Sequence, residues 1–222
     1  MLETISSQLT PITTDLFSEK TRDRILVSSL VLFNQLGFSR VTTASIAKQT
    51  GILEGSLWYH FNTKKDILDA HIQLLSKVFL AENKQASSKD TKTIILGIFR
   101  SYDLIWDFRY ILRDDFQKSL NEDELVLETA KKINNFLDQW AEGRIQHSYN
   151  NGLLQLNPQQ IENLSEITLV IGRYWLDFSS KKYPNVSDES LRKKGLSHIF
   201  TVLESYLSPE AKQIISQMMD KR

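Results

Sequence analysis

The 222-residue sequence predicts an all-α protein, a small three-helix N-terminal domain followed by a larger helical bundle. Three observations predict it. Apolar residues recur at three- and four-residue spacing through most of the chain, without strand-like alternation. The breaks between these patterns fall where asparagine, glycine and proline disfavour continuation, at Asn121, Asn150-Asn151-Gly152 and Tyr183-Pro184-Asn185. Between Thr42 and Asp66, two short helical patterns and the start of a third are folded around a single glycine.

Residues 1–18 lack periodicity and place Pro11 among Ser and Thr, so they read as a flexible arm, without the Lys or Arg, up to residue 17, that a minor-groove contact would need. A first helix is expected from Glu19 to Leu36, capped by Ser18, with Ile25, Leu32 and Leu36 at helical spacing and Gly37-Phe38 closing it. This opens a domain spanning 19–66, with 67–222 forming the second. Further helices are expected from Thr63 to Gln85, Thr91 to Trp106 with a continuation to Leu120, and Glu122 to Tyr149. Pro158 to Lys182, Asp188 to Leu207 and Pro209 to Met219 complete about nine or ten.

Within the stretch TTASIAKQTGILEGSLWYHFNTKKD, Thr42 and Thr43 offer side-chain oxygens to the free amides that open a helix, and Ile46 and Ala47 turn inward. Gly51 stops that helix in the left-handed conformation, and Ile52 folds back onto its last turn. From Glu54 to His60 a second helix buries Leu57, with Phe61 one turn on, and leaves Gly55, Ser56, Trp58, Tyr59 and His60 outward. Thr63 and Asp66 form a capping box for the third, with Lys64 in its first turn, where an anion such as phosphate is welcome. Short helix, glycine turn, short helix is the helix-turn-helix plan, whose second helix enters the major groove of DNA.

Thr42-Thr43, Ile46-Ala47, Gly51-Ile52, Gly55-Ser56-Leu57, Tyr59-His60-Phe61 and Lys64 resemble, position by position, the N-terminal domain of TetR-family transcriptional regulators. The resemblance covers Arg22 to Leu74, about a quarter of the chain. It implies a helix-turn-helix domain on a helical-bundle domain for ligand binding and dimerisation, and a homodimer that binds double-stranded operator DNA; the composition adds the expectation of a cytoplasmic location. Where that family usually opens the recognition helix with Ser or Thr, this chain has Leu53, so a hydroxyl contact to phosphate is not carried over. The expected DNA-binding residues are Thr42, Thr43, Glu54, Gly55, Ser56, Trp58, Tyr59, His60 and Lys64. Glu54 is the one anion among them. It either complements the helix dipole or accepts from cytosine N4.

Composition bounds the reading. There is no cysteine, so neither a disulfide framework nor a thiolate metal site is available, and a reducing compartment fits. The N-terminus has no basic n-region with a long apolar core. No apolar run approaches the roughly eighteen residues of a membrane helix. Net charge is zero, yet between Lys20 and Lys84 nine basic residues face five acidic ones. A basic end of +4 is balanced by −4 elsewhere, which suits moderate non-specific attraction to DNA.

Phe99, Tyr102, Trp106, Arg109, Leu112 and Phe116 lie along one helical face, and Phe136, Trp140, Trp175 and Phe178 add aromatics from later helices. The group is either core or the wall of an effector pocket, which the resemblance places in this domain. A small apolar or amphipathic effector is expected, with Tyr102, Trp106, Arg109, Phe116, Phe136, Trp140 and Trp175 as its contacts. Arg109 is the one charge on the stripe, so it pairs with a carboxylate such as Asp103 or Asp107, or with a ligand anion. Leu196, Ile199 and Leu203, with Leu164, Ile167, Ile171 and Trp175 on the preceding helix, resemble the two-helix pair through which the family dimerises.

Catalytic and metal-site signals are poor. His60, His71, His147 and His198 show no metal-ligand spacing, and neither a phosphate-binding glycine loop nor a Ser-His-acid set is recognisable. No cofactor, metal or enzymatic activity is expected. The function expected is a sequence-specific regulator, a repressor released by a ligand. The alternative is a DNA-bound adaptor of the same fold that binds a protein partner instead.

Overall fold

The structure, a computed structural model, describes residues 8–85, 88–113, 116 and 124–221. Its helices are α1 (Pro11–Thr14), α2 (Thr21–Leu36), α3 (Thr43–Thr50), α4 (Glu54–His60), α5 (Lys64–Gln85) and α6 (Thr91–Asp107). A 3₁₀ turn follows (Arg109–Leu112), then α7 (Glu124–Asn150), α8 (Pro158–Lys182), α9 (Asp188–Leu203), a second 3₁₀ turn (Glu204–Tyr206) and α10 (Pro209–Asp220). The chain forms two compact units, Met1–Leu80 with Asp103–Lys131, and Ala81–Tyr102 with Lys132–Arg222.

In the first unit α2 is the central rod. Ile25, Leu30 and Phe33 are fully buried, and Ile46 of α3, Leu57 of α4, and Ile67 and Leu68 of α5 close around it. The helix begins at Thr21, later than the expected Glu19, because Ser18 does not cap it. Both the amide and the hydroxyl of Ser18 donate instead to the Asp23 carboxylate inside the first turn.

Below α2 lies a polar node inside an aromatic cluster. His71 is fully buried, with Nε2 3.0 Å from the Leu26 carbonyl oxygen and Nδ1 2.9 Å from the Tyr110 hydroxyl. Because a carbonyl only accepts, Nε2 carries the hydrogen and Nδ1 accepts from Tyr110. Phe33, Phe108 and Tyr110 surround the ring edge-on at 5.9 Å. Burial lowers the His71 pKa to about 4, against a partial rise from the Leu26 bond, and raises that of Tyr110.

The segment expected as a flexible arm is docked where it is described, over residues 8–17. Leu9, Thr10 and Thr13 are buried, and the amide and hydroxyl of Thr10 both donate to Oδ2 of Asp107. Asn34 adds a second tie, its Nδ2 donating to the Asp107 carbonyl at 2.6 Å while its Oδ1 accepts from the Tyr110 amide. A buried carboxylate needs such donors. The arm supplies them, and nothing in its low periodicity disclosed this. Residues 1–7 lie outside the described residues, as do the expected break at Asn121 and helix ends at Leu120 and Glu122.

The second unit is built on helices with well-formed starts. Asn157 and Gln160 make a reciprocal capping box ahead of Pro158, and Ser187 and Ser208 accept from the third amides of α9 and α10. Ile94, Ile95 and Phe99 of α6, Leu137 and Ala141 of α7, Leu164 and Leu176 of α8, and Leu196 and Phe200 of α9 are buried. The chain expected to stay α-helical to Leu207 tightens into the 3₁₀ turn after Leu203, and Tyr206 then accepts from the Gln155 amide at 2.8 Å.

Candidate nucleic-acid interface

The turn between α3 and α4 follows from local chemistry. Thr42 Oγ1 accepts from the Ser45 amide while Ser45 Oγ accepts from the Thr42 amide, so two orphan donors are satisfied at once. At the other end Gly51 takes φ +74°, its amide donates to Lys48, and the Ile52 amide donates to Ala47. That bond pair is a Schellman stop, which requires the left-handed residue glycine supplies. Leu53 opens α4 without a side-chain cap, as its apolar side chain dictates.

The resulting α4 divides cleanly. Leu57 is fully buried and Phe61 nearly so, with the Arg22 guanidinium 4.9 Å above the Phe61 ring. Outward stand Gly55, Ser56, Trp58 at 53% exposure and Tyr59 at 87%, with His60 half-buried and edge-on to Tyr59 at 5.2 Å. Trp58 and Tyr59 are large aromatics left exposed on a short helix. They are available to a partner.

Four of the expected DNA contacts are also engaged within the protein, Thr42 through its bonds with Ser45. The Thr43 hydroxyl donates to Glu54 Oε1 at 2.7 Å, tying the first turn of α3 to the first residue of α4. Lys64 Nζ donates to the carbonyl oxygens of Phe38 and Val41, and its burial lowers the ammonium pKa. The box Thr63-Asp66 is formed in both directions, fixing the start of α5.

The residues expected to contact an effector fall into both units. In the first, Arg109 donates to the Trp106 carbonyl at 2.9 Å, with its guanidinium 4.9 Å from the centre of that ring. Its charge also acts on buried Asp107, whose pKa is nevertheless raised by desolvation. Phe116 packs edge-on to Phe38 and Tyr110, inside the aromatic cluster under α2. In the second unit Tyr102 and Trp175 are buried and meet over Gly195, where a methyl group would overlap the Tyr102 hydroxyl and the Trp175 ring. Trp175 Nε1 donates to the Leu191 carbonyl at 2.9 Å. Phe136 and Trp140 on α7 are half-buried.

The expected dimer stripe is turned inward. Leu164, Trp175, Leu196, Ile199 and Leu203 are each buried within a single chain, so they build their own protomer's core. Of the seven, Ile171 is partly exposed and Ile167 is exposed. The apolar face left uncovered on α8 is Ile167, Val170, Tyr174 and Phe178, with the Tyr174 and Phe178 rings tilted against each other at 5.6 Å. Val170 and Tyr174 escaped the sequence reading, although their three- and four-residue spacing from Ile167 and Phe178 was there to find them. Among the described residues there is no cluster of ligands suited to a metal ion, and no helix is long and apolar enough to cross a membrane.

Comparison with known proteins agrees with this arrangement. Residues 25–71 match the bacterial regulatory proteins of the tetR family, and residues 72–215 match TetR, described as a bacterial transcriptional repressor. The chain is 26% identical over 194 residues to IcaR of Staphylococcus aureus, the HTH-type negative transcriptional regulator of the biofilm operon icaADBC, covering 84% of this chain and 98% of that one. It is 30% identical over 82 residues to the class A tetracycline repressor from transposon 1721 of Escherichia coli, about a third of each chain, 35% and 36%. Among solved structures, a TetR-family regulator from Marinobacter aquaeolei VT8 superimposes with a TM-score of 0.64 at 23% identity, covering 91% and 98% of the two chains. SmeT, solved as a complex with triclosan, gives 0.55 at 17% identity, covering 85% and 93%. The chain therefore belongs to the TetR family and is a DNA-binding transcriptional repressor.

Proposed function

We propose that this repressor is a cytoplasmic homodimer that reads an operator with α4, dimerises through the exposed face of α8, and leaves DNA when a small apolar or amphipathic ligand binds its C-terminal domain. The observation that carries the DNA reading is the outward face of α4, where Trp58 and Tyr59 are exposed while Leu57 on the opposite side is fully buried. A helix anchored by one buried leucine and offering bare aromatics suits insertion into a groove. Ser56 and His60 suit base edges and phosphates beside it. The adaptor reading has no comparable support, since the relatives are repressors.

Tyr59→Ala tests the groove contact. With its ring 87% exposed, the tyrosine contributes little packing, so the melting temperature should stay unchanged while operator affinity falls at least about tenfold. Unchanged affinity removes α4 from the interface. Ligand release is tested by reciprocity, because a ligand that weakens operator binding by some factor must itself bind more weakly by that factor when operator is saturating. A ligand with equal dissociation constants in the two titrations is not the inducer.

A further inference from the structure

We infer that Glu54 reads a cytosine amino group in the major groove and that Thr43 is its positioning residue. The inference rests on the reading of α4 as the groove-binding helix. A carboxylate on a surface that meets a polyanion is costly unless it is kept from the phosphates. Glu54 is kept in place by the Thr43 hydroxyl, whose single hydrogen is donated to Oε1 at 2.7 Å. That bond crosses from α3 to α4 and fixes where the carboxyl group sits. It occupies one of about four lone-pair directions, and the half-buried residue retains acceptor capacity toward solvent.

Gly55, the next residue, supplies an independent observation. It has no positive φ, and a Cβ placed on it would meet nothing within 4 Å. Among the described residues neither backbone conformation nor packing requires glycine there, although glycine inside a helix is disfavoured relative to alanine. Its bare backbone serves an approach from outside. The first turn of a recognition helix is the part that reaches base edges, so Glu54 stands at the closest approach.

The chemistry then selects the base. An ionised carboxylate only accepts hydrogen bonds, while guanine offers N7 and O6 acceptors to the major groove and thymine offers an O4 acceptor. Adenine couples its amino donor to an adjacent N7 acceptor. Cytosine offers N4 without an acceptor of its own beside it in the groove.

The experiment is in vitro selection from randomised duplex DNA with the full-length wild type, Glu54→Gln, Thr43→Val and Thr43→Ser. The wild type should enrich cytosine at one position of each half-site, by about tenfold or more over other bases. Glu54→Gln should move that position toward adenine, whose N6 and N7 a carboxamide matches, and leave the other positions as they were. Thr43→Val should blur the same position, and Thr43→Ser, which keeps the hydroxyl, should restore it. A Glu54→Gln protein with the wild-type preference at every position overturns the base-reading role and leaves Glu54 as a brace between helices. Thr43→Val with an undiminished preference overturns the positioning role. A wild type that enriches no sequence brings down the reading of α4 itself, and this assignment with it.

Discussion

The Lys64 ammonium donates to the Phe38 carbonyl oxygen at 2.9 Å while lying 4.4 Å from the centre of that residue's own ring. With the second bond to Val41, it fastens the first turn of α5 to the loop between α2 and α3. A phosphate held by Lys64 would therefore share its charge with the brace of the domain. Lys64→Met keeps an apolar stem but removes both donors, and should cost about 1–3 kcal/mol in thermal or urea unfolding. If the remaining hydrogen also meets a phosphate, the log-salt slope of operator binding falls by about one. An unchanged unfolding midpoint would show that the brace contributes nothing.

Buried His71 should make stability depend on pH. Its folded-state pKa of about 4 lies below the ordinary 6.5, so the unfolded chain binds more protons between these values. Stability contributed by the neutral ring is full above about pH 6.5 and is lost as pH falls toward 4, by roughly 3 kcal/mol at the limit. Asp107 works in the opposite sense, since its raised pKa favours the folded state at low pH. Comparison with His71→Gln isolates the histidine. The stability difference between wild type and variant should shrink on acidification from pH 6.5 to 4.5, and a constant difference would mean that His71 is not buried in its neutral form.

Gly195→Ala tests the close packing of α9. Alanine is the better helix former by about 1 kcal/mol. Here the added methyl would meet the Trp175 ring, which is held by its bond to Leu191 and cannot withdraw without breaking it. Steric cost should exceed propensity, giving a net loss of about 1–3 kcal/mol by chemical denaturation. A stabilised variant would contradict the packing of Trp175 against α9.

Two glutamate substitutions separate core from interface. Tyr174, 67% exposed on α8, should accept Glu without loss of helical circular dichroism, while the protein shifts from dimer to monomer in sedimentation and loses operator affinity. Leu203→Glu should unfold the bundle, because that position is buried within its own chain. A folded Leu203→Glu monomer beside a dimeric Tyr174→Glu protein would reverse the assignment of the two faces.

What the sequence made legible was governed by short-range chemistry. The side-chain cap at Thr42, the capping box at Thr63-Asp66, the left-handed Gly51 and the buried Leu57 depend on nearby residues, so their positions follow from the chain alone. The direction of the C-terminal stripes does not. Leu196, Ile199 and Leu203 recur at helical spacing whether they face a partner or their own core, and only the neighbouring helices settle which. Contacts distant in sequence were the least visible, as with Thr10 and Asp107, 97 positions apart. The same holds for Lys64, where a surface cation and a half-buried brace look alike in a sequence. Arg109 is expected from the sequence to meet a carboxylate such as Asp103 or Asp107, or a ligand anion; it donates to the Trp106 carbonyl, a backbone acceptor that no side-chain pattern reveals, and its charge acts on Asp107.

The most direct test of sequence-specific repression by a dimer is hydroxyl-radical footprinting on genomic DNA enriched by the wild-type protein. Two recognition helices should protect a twofold-symmetric site, with half-site centres one helical turn, about 34–36 Å, or a multiple of it apart. Protection should disappear with Tyr59→Ala at the same protein concentration. A single unpaired half-site, or uniform weak protection regardless of sequence, would contradict it.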